Sequence, residues 1–66
     1  MKKFLENKIV FLENTKLYSY TEFYRNILKY YNKLNLQDFK NLLDYNIKNS
    51  PIYFLSELLI IKKELN

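Results

Sequence analysis

A chain of 66 residues with neither cysteine nor histidine has to fold without the two supports that small domains commonly use. Disulfides are excluded, and so is any ordinary zinc site. A domain of this size hides only ~60% of the surface its unfolded chain exposes, so a lone core is marginal. What remains is close packing of regular elements, or association with another chain, either its own copy or a different one. The sequence is therefore read as one small domain, 1–66, whose surface has to be searched for a place of association.

The elements are legible from apolar spacing. In "SYTEFYRNILKYYNKL", Ser19 followed three residues later by Glu22 has the form of a capping box. Tyr20, Phe23, Tyr24, Ile27, Leu28, Tyr31 and Leu34 then recur with helical period, with Tyr30 beside them, which predicts a core-facing helix over 20–34. Asn35 is suited to end that helix or to cap the next. Leu36, Phe39, Leu42, Leu43 and Ile47 predict a helix over 36–47, with Asn46 its expected left-handed terminator in a chain without glycine. Ser50 as cap and Pro51 in the first turn announce a last helix over 51–65. Its core face is read as Phe54, Leu58, Ile61 and Leu65, widened by Ile52, Leu55 and Leu59.

The first twenty residues leave two alternatives. "FLEN" occurs at Phe4–Asn7 and again at Phe11–Asn14. Seven residues are nearly two helical turns, so Phe4 stacks on Phe11 and Leu5 on Leu12; in a strand the same pairs fall on opposite faces. The repeat favours a helix over about 2–13. Against it stand Lys2 and Lys3 at the positive end of the dipole, Glu13 at the negative end, and no good N-cap. A β-hairpin over 8–20, followed by the other three helices, is the competing architecture. The fold class expected is all-α, a small bundle of three to four short helices.

Function is bounded mainly by what is missing. Without His, Cys or Gly there is no ordinary metal centre, no thiol nucleophile and no phosphate-cradling loop, and no cofactor motif is present. Ser19 and Ser50 are taken up by the capping roles assigned to them. Carboxylate pairs such as Glu57/Glu64 and Asp38/Asp44 are not side by side on a helix. An enzyme is not expected. "MKKFL" lacks the apolar run of a signal peptide, and "IYFLSELLII" is too short to span a bilayer, so a cytoplasmic location is the expectation.

The net charge of +4 would ordinarily suggest nucleic acid or an anionic surface. Phe, Tyr, Met, Ile, Asn and Lys, all with A/T-rich codons, supply 38 of the 66 residues. The gene therefore belongs in an AT-rich genome, that of a phage or plasmid being one such setting, and part of the lysine excess follows from codon usage. Arg25, Lys29 and Lys33 nevertheless form a basic stripe on the second helix that could follow phosphates. The second and third helices with their short turn also suggest a helix-turn-helix, with Gln37, Asn41, Tyr45 and Lys48 facing outward. The third helix carries no net charge, though, and its turn is shorter than that motif uses.

The stronger indication is tyrosine. Of seven, Tyr20, Tyr24 and Tyr31 fit a core arc, whereas Tyr53 pairs with Ile60 on the outward side of the last helix, flanked by Glu57 and Glu64. An exposed rigid ring beside an aliphatic neighbour is the composition of a protein–protein contact. The favoured expectation is a non-enzymatic interaction module, a small regulator or inhibitor that binds a partner protein or its own copy. A nucleic-acid-binding regulator is the alternative.

Overall fold

The computed structural model describes every residue from Met1 to Asn66. The chain is all-α: α1 (Lys2–Asn14), α2 (Tyr18–Lys33), α3 (Leu36–Asn49) and α4 (Ile52–Leu65), with no strand. It forms two compact units, Met1–Leu34 holding α1 and α2, and Asn35–Asn66 holding α3 and α4. The β-hairpin over 8–20 is not formed, since Lys8 to Asn14 continue α1 and Tyr18 already opens α2.

Burial decides the fate of α1. Its first turn has no acid, its last turn no base, and Met1 supplies no side-chain cap. Each adverse end charge costs on the order of 0.3–1 kcal/mol. Leu5 and Leu12, the leucines of the two "FLEN" copies, are both buried. Each contributes roughly 1.5–3 kcal/mol, so the helix wins. Glu13, at the unfavourable end, is met by the guanidinium of Arg25 on α2. The phenylalanines of the repeat fare differently: Phe4 is half-buried and Phe11 exposed. Tyr24 and Ile27 complete the buried apolar set of this unit. The ammonium of half-buried Lys8 lies 5.8 Å from the centre of the Tyr24 ring, and Phe23 meets the same ring edge-on at 5.3 Å.

The turn between α1 and α2 takes the place of the expected capping box. Lys16 has φ 60°, the one positive φ in the chain. Its N–H donates to Glu13 O at 3.2 Å, and Leu17 N–H donates to Leu12 O at 3.1 Å. This is a Schellman terminator with lysine in the place usually taken by glycine. Leu17 then serves directly as N-cap of α2, without a side-chain cap bond. Ser19 consequently lies inside the first turn, and the Ser19/Glu22 capping box is not formed. The hydroxyl that does bond there is that of Thr21, buried and donating to Leu17 O at 2.9 Å.

In the second unit Asn35 caps α3 as its position suggested, its side-chain oxygen accepting from Asp38 N–H at 2.8 Å. Asn46 does not end the helix. It sits half-buried within α3 and donates its amide to Leu42 O at 2.8 Å. The helix runs on to Asn49 and ends at extended Ser50, the conformation favoured for a residue before proline. Pro51, not Ser50, is the N-cap of α4, with Phe54 N–H donating to its carbonyl at 3.0 Å. Phe39, Leu43, Leu58 and Ile61 are buried, whereas Leu36, expected on the core face, is 55% exposed. Asp44 and Lys62 pair at 2.7 Å across the two helices. No buried side-chain polar atom lacks a partner, and no helix is long and apolar enough to cross a membrane.

Candidate protein-binding face of α4

Successive residues of a helix advance by about 100°, so the apolar residues of α4 can be placed around its axis. Phe54, Leu58, Ile61 and Leu65 cluster on one side. Leu58 and Ile61 are fully buried there, while Phe54 and Leu65 are half-buried. Roughly opposite lies a second arc of Ile52, Tyr53, Ser56, Leu59 and Ile60, about 120° wide by the same rotation, with exposed Lys63 at its C-terminal end. Ile52 is 84% exposed, Tyr53 59%, Leu59 50% and Ile60 40%. Between these arcs on one edge come Glu57, half-buried, and Glu64, exposed. On the other edge Leu55 is half-buried.

The outward position of Tyr53 and Ile60 agrees with the sequence reading, but Ile52 and Leu59 do not belong to the core face assigned to them. The wheel itself holds the reason. Taking the core centre from residues 54, 58, 61 and 65, Leu59 falls about 130° away and Ile52 about 150° away. Both are too far round for the face that packs on α3. An apolar face wider than one neighbour can cover leaves such residues in water. Tyr53 is not loose on this surface: its ring contacts that of half-buried Phe54, centroids 4.8 Å apart and planes inclined at 56°. A ring held in this way has less conformational freedom left to lose on burial.

The basic stripe presents a different picture. Arg25, Lys29 and Lys33 are all exposed on α2, but Arg25 is engaged by Glu13 and approaches Glu22 at 4.0 Å. On α3, Gln37, Asn41, Tyr45 and Lys48 are exposed, and Gln37 donates to the side chain of Asn41 at 3.1 Å. Two residues, Leu34 and Asn35, separate α2 from α3.

A depression of about 60 Å³ is lined by Lys40, Leu43, Asp44, Lys62, Leu65 and Asn66, and of its charged side chains Asp44 and Lys62 pair with each other. Another, at the α1–α2 turn, is lined by Lys16 to Tyr20 and lies open to solvent. No group of three or more acidic, His or Cys side chains is arranged to hold a metal ion. Comparison with protein-family models, with curated proteins and with solved structures gives no match.

Proposed function

We propose that the protein is a non-enzymatic interaction module, a small regulator or inhibitor that acts by presenting the outer arc of α4 to a partner protein. The observation that carries this reading is the exposure, on one side of one helix, of Ile52, Tyr53, Leu59 and Ile60 together. Scattered single apolar residues on a surface are ordinary, but four along one stripe make a contiguous patch. Tyrosine beside branched aliphatics, with acidic residues at the border, is the make-up of a contact centre with a polar rim.

Binding through the basic stripe has weaker support, because Arg25 already shares its charge with Glu13 and Glu22. A phosphate-tracking surface would also show steep salt dependence.

The test is a photo-crosslinking residue in place of Tyr53, introduced in the cells that express the protein. Discrete protein adducts are expected, and they should be lost when Ile60→Glu is added while the circular dichroism of the helices is unchanged. Absence of adducts, or adducts indifferent to Ile60→Glu, would overturn the reading.

A further inference from the structure

We draw no further inference here: the strongest candidate, the exposed side of α4 formed by Ile52, Tyr53, Leu59 and Ile60, is the surface already described, and nothing in the structure shows what covers it.

Discussion

Individual residues here show how local chemistry is settled by what stands next to it. Asn35 caps α3 from an extended backbone, its side-chain oxygen accepting from Asp38 N–H, and Asn35→Ala should cost about 1 kcal/mol, read as a lower urea midpoint. Ser19 carries an equally good signature and caps nothing, because the terminator of α1 hands Leu17 straight to α2. That handover was not visible in the sequence: it depends on Lys16 adopting a left-handed conformation that lysine disfavours. For a residue with a Cβ this conformation costs roughly 1–2 kcal/mol. Lys16→Gly should relieve it, and after the extra freedom given to the unfolded chain a net gain of about 1 kcal/mol is expected in urea unfolding. Destabilisation by Lys16→Gly would show that the lysine is held there by interactions stronger than its strain. Asn46 teaches the complementary lesson, since a polar residue on an apolar face can remain in a helix when its amide reaches the carbonyl one turn back.

Among the elements, those with a strong helical period were legible and their ends less so. The centres of α2, α3 and α4 follow from spacing alone, and each buried residue of α3 and α4 lies on the face that spacing selects. α1 was open between helix and hairpin because its end charges and its apolar repeat point in opposite directions. The two buried leucines outweigh the charges. Substituting Leu5→Ala should accordingly cost about 2–5 kcal/mol and reduce helicity, whereas Phe11→Ala, at an exposed position, should stay within about 0.5 kcal/mol of wild type. Similar losses for both would mean that α1 packs by its phenylalanines instead. Half of the candidate site was legible in the same way: Tyr53 and Ile60 stood out as an outward pair, whereas Ile52 and Leu59 were absorbed into a core face drawn too wide. Apolar identity alone does not say how much of a helix its neighbour can cover.

At the level of the whole molecule, size sets the terms. With four buried apolar residues in each unit and no covalent or metal support, stability comes from a few side chains, and any apolar surface left in water is conspicuous. In the proposed function α4 has two apolar sides, one buried in the fold and one exposed and offered to a partner. Adjacent leucines separate the two, for Leu58 is fully buried and Leu59 is half in water. The most direct measurement is urea unfolding, followed by circular dichroism at low concentration, of Leu58→Ala and Leu59→Ala beside the wild type. A loss of about 2–5 kcal/mol is expected for Leu58→Ala and no more than about 0.5 kcal/mol for Leu59→Ala. Comparable losses at the two positions would show that α4 is spent on the core all round, and the binding face would not exist.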